Sequence, residues 1–118
     1  MHWIKNRLNS FGCAFNGLWT LFRTETHAQI HLLAVVVVGI AGFLTGLGRW
    51  EWLVVILTIT LVLALEGMNT ALEALADAIH PEHHPLIGKA KDVAAGAVLL
   101  SAIGALVVAV VVFLPHWM

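Results

Sequence analysis

Apolar residues recur along the first two dozen positions at alternating spacings of four and three: Ile4, Leu8, Phe11, Phe15, Leu18 and Phe22. That period places them on one stripe of an α-helix, flanked by Lys5, Arg7 and Arg23. Aromatic anchors beside long cations suit a helix lying in the headgroup region of a bilayer, here residues 1–27. The spacing argues against a signal peptide, whose apolar core is continuous and followed by a small-residue cleavage site. From Ala28 to Gly48 the pattern changes to an apolar run interrupted by His31, and about 20 such residues suffice for a helix to cross a bilayer. Gly42 and Gly46 form a GxxxG there, either a point of close helix approach or a pair of tolerated glycines.

Arg49, Trp50, Glu51 and Trp52 make a polar turn with interfacial aromatics. A second span, 52–79, is apolar to Leu65 and then keeps helical periodicity through polar residues to Asp77. HPEHHPLIG, residues 80–88, reads as a loop with Pro81, Pro85 and Gly88 as breakers. A third span covers 89–114, with Pro115, His116 and Trp117 at its exit.

Composition makes a water-soluble alternative untenable. Of 118 residues, 60% are hydrophobic and 11% charged, against roughly 45–50% and 25% in soluble domains. The expected fold is a single all-α membrane domain, residues 1–118, with one interfacial and three transmembrane helices. A formal charge of −1 and no basic cluster interleaved with aromatics set nucleic acid aside. The lone Cys13 has no partner for an internal disulfide. Lys5, Arg7 and Arg23 precede the first span and Lys89 and Lys91 the third, against Arg49 alone on the other side. The N-terminus and the 80–88 loop should therefore face the cytoplasm, where ATP is found, in an inner (cytoplasmic) membrane.

Glu66, Asn69, Glu73 and Asp77 lie three, four and four apart, within an arc of roughly 80° on one helix face. A carboxylate facing hydrocarbon costs on the order of 2.5–3.5 kcal/mol on insertion scales, so this stripe should face protein, water or ions. Packing hydrogen bonds and a solvated helix end are its bland explanation. Glu25, before the first span, and Lys91 and Asp92, at the start of the third, can reach the same level. Converging carboxylates repel unless a cation joins them, and Mg²⁺ shared with nucleotide phosphates is the usual resolution in phosphoryl-transfer sites. No GxxxxGK[ST] is present, so a bound nucleotide would not sit in a P-loop. His27 and His31 have helical i, i+4 spacing but no third inward ligand, which favours an interfacial polar role over metal.

EGMNTALEALAD (66–77) and KAKDVAAGAV (89–98) strongly resemble the small prokaryotic diacylglycerol kinase family, and Trp19 to Glu25 matches its W-x-x-x-x-x-E stretch. The resemblance implies a homotrimeric lipid kinase with sites between subunits, using ATP and Mg²⁺. It assigns Glu66 as catalytic base, Glu25 and Glu73 as metal ligands, and Asn69 and Asp77 as supporting polar positions. Arg7, Glu82, His84, Lys91 and Asp92 match positions around the nucleotide, together with Glu25, Glu73 and Asp77; Glu66 and Ala95 match the lipid substrate site. TETHAQIH (24–31) and HHPLIGKAKDVAAGAV look closer to the undecaprenol kinase branch, although His27 departs from the Asn expected there.

The expected activity is transfer of the ATP γ-phosphoryl group to a membrane lipid alcohol, undecaprenol ahead of diacylglycerol. A cation- or proton-conducting bundle would also place carboxylates in a membrane, but here the charges crowd at one surface. A non-catalytic assembly subunit would need only structural partners for the stripe.

Overall fold

A chain crossing hydrocarbon must satisfy its backbone polar groups without water, and the computed structural model, which describes residues 1–118, is helical nearly throughout. Its elements are α1 (His2–Thr24), α2 (Thr26–Thr45), α3 (Arg49–Ile79) and α4 (Pro85–Trp117). The last three are long and apolar enough to span a membrane. At 31 and 33 residues, α3 and α4 exceed the roughly 20 a bilayer needs, so their polar ends extend beyond the hydrocarbon.

α1 buries only Leu21 and leaves Trp3, Ile4, Leu8, Phe11, Phe15, Leu18 and Trp19 exposed. It ends at Thr24, three residues short of the expected 27, because Glu25 is extended (φ −97°, ψ 117°). Two side chains stabilise that break. Thr24 Oγ1 donates to the carbonyl of Thr20 at 2.7 Å, a back-bond that bends helices, and Gln29 Nε2 donates to the free carbonyl of Arg23 at 3.0 Å. Glu25 thus joins α1 and α2 as a one-residue hinge.

The two glycines of the GxxxG do different work. A Cβ at Gly42 would come within 2.7 Å of the Trp52 indole and 3.0 Å of Leu47 Cδ1, so its bare backbone is what lets Trp52 of α3 approach α2. Gly46 instead ends α2 in the left-handed region (φ 80°), which an L side chain resists. Glu51 Oε1 then accepts from the Gly48 N–H at 3.0 Å and caps α3.

The buried apolar cluster lies beside this turn and consists of Leu47, Val55, Val112 and Phe113. Polar bonds close the same end. His116 Nε2 meets both oxygens of Glu51 at 2.9 and 2.7 Å, and Trp117 Nε1 donates to Thr45 Oγ1 at 3.0 Å. Only 9 of 118 residues are buried, so most apolar side chains face outward, as they do when lipid or another subunit is the surrounding medium.

At the other end the expected loop is shorter. α4 starts at Pro85, not Lys89, and includes Gly88. Proline at the first helical position forfeits no hydrogen bond, and His84 Nδ1 accepts from the Leu86 N–H at 3.1 Å as the cap. Pro115 likewise sits inside α4, which continues to Trp117.

Candidate active site

Glu66 is the one buried charged residue, 4% exposed. It lies on the face of α3 turned toward α2, where His31 Nδ1 stands 3.9 Å from Glu66 Oε2. Leu21 packs within 3.5 Å of the position a Cβ would take on neighbouring Gly67, so the end of α1, one turn before Glu25, is held against this helix.

One turn along, Asn69 Nδ2 donates to Glu73 Oε1 at 3.3 Å. Its amide oxygen is buried without a partner. Further along, Asp77 is exposed and accepts from Lys91 Nζ, which α4 brings across from the other side of the 80–84 loop. Over about 16 Å of helix, the stripe therefore runs from a desolvated carboxylate, through a half-buried amide–carboxylate pair, to a solvated ion pair. Such a gradient suits a reaction joining an apolar molecule to a highly charged one.

An apolar groove with a volume of about 290 Å³ adjoins the deep end. Val35 and Val38 of α2, Val62 and Leu63 of α3, and Ala102 and Leu106 of α4 contribute to its walls, and His31 is its only polar lining residue.

The sequence pattern of the prokaryotic diacylglycerol kinase family matches residues 12–113. The chain belongs to that family. It is 41% identical to undecaprenol kinase of Bacillus subtilis (strain 168) over 94% of both chains. It is also 41% identical to a diacylglycerol kinase of Synechocystis, over 93% of this chain and 63% of that longer protein. A Pseudomonas aeruginosa diacylglycerol kinase is 37% identical over 80% of this chain and 76% of its own. Membership makes the protein a membrane lipid kinase.

In this member of the prokaryotic diacylglycerol kinase family, the other expected site residues are spread along the chain. Arg7 is exposed on α1, with its guanidinium 5.6 Å over the Trp3 ring. Glu82, Asp92 and Ala95 are exposed, and His84 is half-buried with Nδ1 used as the α4 cap. Glu25 makes no capping hydrogen bond. No three His, Cys, Asp or Glu side chains of one chain converge as a metal cluster. Glu73 offers a carboxylate, a hard oxygen ligand of the kind Mg²⁺ takes, and Asn69 beside it, bonded through Nδ2, carries an unpartnered amide oxygen of the same class.

His31 is the site residue that sequence reasoning passed over. The exposed His27 and the half-buried His31 share helical spacing but not surroundings, and only His31 faces Glu66. No spacing in the sequence singles it out, because α2 is apolar on nearly every side; only the packed structure marks Ala28, His31, Val35, Val38 and Gly42 as the more buried side of α2.

Proposed function

We propose that this kinase transfers the γ-phosphoryl group of ATP to the hydroxyl of a membrane lipid alcohol at the cytoplasmic face, with undecaprenol as acceptor and diacylglycerol as the runner-up. The observation that carries this reading is the buried Glu66 beside His31, which lines an apolar groove running on from that point. The groove would take the part of a hydrocarbon chain nearest its head, the remainder lying in the bilayer, so that the terminal hydroxyl would arrive near the carboxylate. The end-to-end match to a protein named undecaprenol kinase supports undecaprenol.

Glu66 takes the hydroxyl proton as the oxygen attacks the γ-phosphorus; the new O–P bond forms, the bond to the β-phosphate oxygen breaks, and ADP leaves. Lys91 lies at the solvated end, where its ammonium can offset phosphate charge. Glu25 and Glu73 are the proposed Mg²⁺ ligands, with Asn69 beside them, and the ion's part would be to neutralise charge on the phosphates. Arg7, Glu82, His84 and Asp92 are assigned to the nucleotide's surroundings and Ala95 to the lipid's. Their spread over the exposed surface of one chain supports a homotrimer in which neighbouring subunits complete each site. The Lys/Arg asymmetry supports an inner-membrane orientation with a cytoplasmic N-terminus.

Purified protein in lipid vesicles, given radiolabelled ATP and a panel of lipid alcohols, tests the proposal. Label entering undecaprenol faster than diacylglycerol is the expected result. Preference for diacylglycerol would reverse the acceptor assignment, and no labelled lipid would end it.

A further inference from the structure

His31 Nδ1 is buried and has no hydrogen-bond partner, although it stands on the lining of a groove that is otherwise wholly hydrophobic. A polar atom withdrawn from water without a partner is costly, and more so in a membrane, so the position calls for a ligand that can supply one. The nearest charged group is Glu66 Oε2 at 3.9 Å. That gap is too long for a direct hydrogen bond, which needs about 2.7–3.2 Å between nitrogen and oxygen. It suits two groups sharing one oxygen atom: an oxygen about 2.8 Å from each would see them at an angle of roughly 90°. Nδ1 is closed off as the side chains stand, so a small turn of the imidazole or the carboxylate would admit that oxygen; a hydroxyl suits the place because it accepts along a lone pair and donates its own proton at once.

We propose that His31 is the second anchor of the acceptor alcohol, its Nδ1–H donating to the hydroxyl oxygen while the hydroxyl proton is turned toward Glu66. The inference rests on the lipid-alcohol reading of the site and deepens it. It assigns the tautomer with the proton on Nδ1, and it makes the pair Glu66 and His31, rather than Glu66 alone, the feature that recognises an alcohol at the head of a hydrocarbon chain. Val35 and Val38, one and two turns from His31 on the same helix, would flank the first part of that chain. An apolar residue at position 31 would lengthen the groove but leave the hydroxyl held from one side only.

The test uses full-length protein in phospholipid vesicles with undecaprenol as the probe. His31→Leu should lower kcat/KM for undecaprenol by about 10- to 100-fold, the range for removing one hydrogen bond to a reacting group, while KM for ATP stays unchanged. His31→Asn, which keeps an N–H donor near the same place, should recover a large part of that loss. In wild-type protein labelled with ¹⁵N-histidine, the His31 Nδ1 resonance should move when undecaprenol is added without nucleotide. It should stay still with the corresponding hydrocarbon lacking the hydroxyl. Normal undecaprenol kinetics in His31→Leu, an equal loss toward both substrates, or an Nδ1 signal indifferent to the hydroxyl would each overturn the inference. If His31→Leu fails to insert, the Asn variant and the wild-type spectrum decide it. A wild-type protein that phosphorylates no lipid alcohol would instead bring down the underlying acceptor reading, and this anchor with it.

Discussion

Lys91, in the second turn of α4, donates to the carboxylate of Asp77 near the end of α3, bridging the loop that separates the two helices. Both side chains are substantially exposed, so the pair adds little to stability, about 0–1 kcal/mol for ion pairs of this kind. Its consequence is positional: a cation is held at the solvated end of the acidic face. Lys91→Met should therefore leave folding close to wild type yet raise KM for ATP roughly tenfold, the equivalent of about 1.4 kcal/mol in a charge-assisted contact. Steady-state kinetics with varied ATP check this, and an unaltered KM would remove Lys91 from the nucleotide's surroundings.

Glu66→Gln keeps the side chain's shape and part of its hydrogen-bonding capacity but removes the proposed base. We expect kcat to fall about 10²-fold or more while nucleotide binding and assembly persist. Near-normal turnover would mean that the lipid hydroxyl gives up its proton without this carboxylate.

Glu25→Gln and Glu73→Gln should each shift the Mg²⁺ dependence of nucleotide binding to higher concentration, since each would remove an anionic oxygen from the proposed site of a hard cation. In Glu73→Gln the hydrogen bond from Asn69 has an amide oxygen available in place of the carboxylate, so loss of charge rather than collapse of the face should dominate. Identical Mg²⁺ titrations for both variants and the wild type would take them out of the metal site.

Co-expression of Glu25→Gln and Glu66→Gln chains should restore activity that neither has alone, because subunits that complete one another's sites can reassemble an intact one. The size of the assembly in mild detergent should correspond to three chains. Mixed oligomers that form and stay inactive would argue that each chain carries its whole site.

Three crossings would place the termini on opposite sides, and the proposed orientation, from the Lys/Arg asymmetry, has the N-terminus inside. A reporter active only outside the cytoplasm should light up when fused after Met118, and one active only inside should stay dark. The reverse pattern would invert the topology and move the acidic face away from ATP.

Helix number, the approximate spans and the acidic face of α3 were legible from the sequence alone. Runs of apolar residues long enough to cross a bilayer have few alternatives to helix, and the high cost of a carboxylate in hydrocarbon means that Glu66, Asn69, Glu73 and Asp77 declare their shared face by spacing. The rotation of α2 was not legible, because a helix apolar on all sides carries no periodic signal of which side is inward. Only packing, with Gly42 under Trp52 and Ala28 fully buried, turns His31 toward Glu66 and leaves His27 outside. Local breakers misled for a similar reason: Pro85 and Gly88 suggested a loop, but whether a proline ends a helix or begins one depends on the cap before it, here supplied by His84. The bond between Glu51 and His116 joins residues 65 apart in sequence, and no local period connects them. Spacing along one helix is a property of the chain, whereas which faces meet is decided by how the helices pack against one another, and the pairing of His31 with Glu66 is of the second kind.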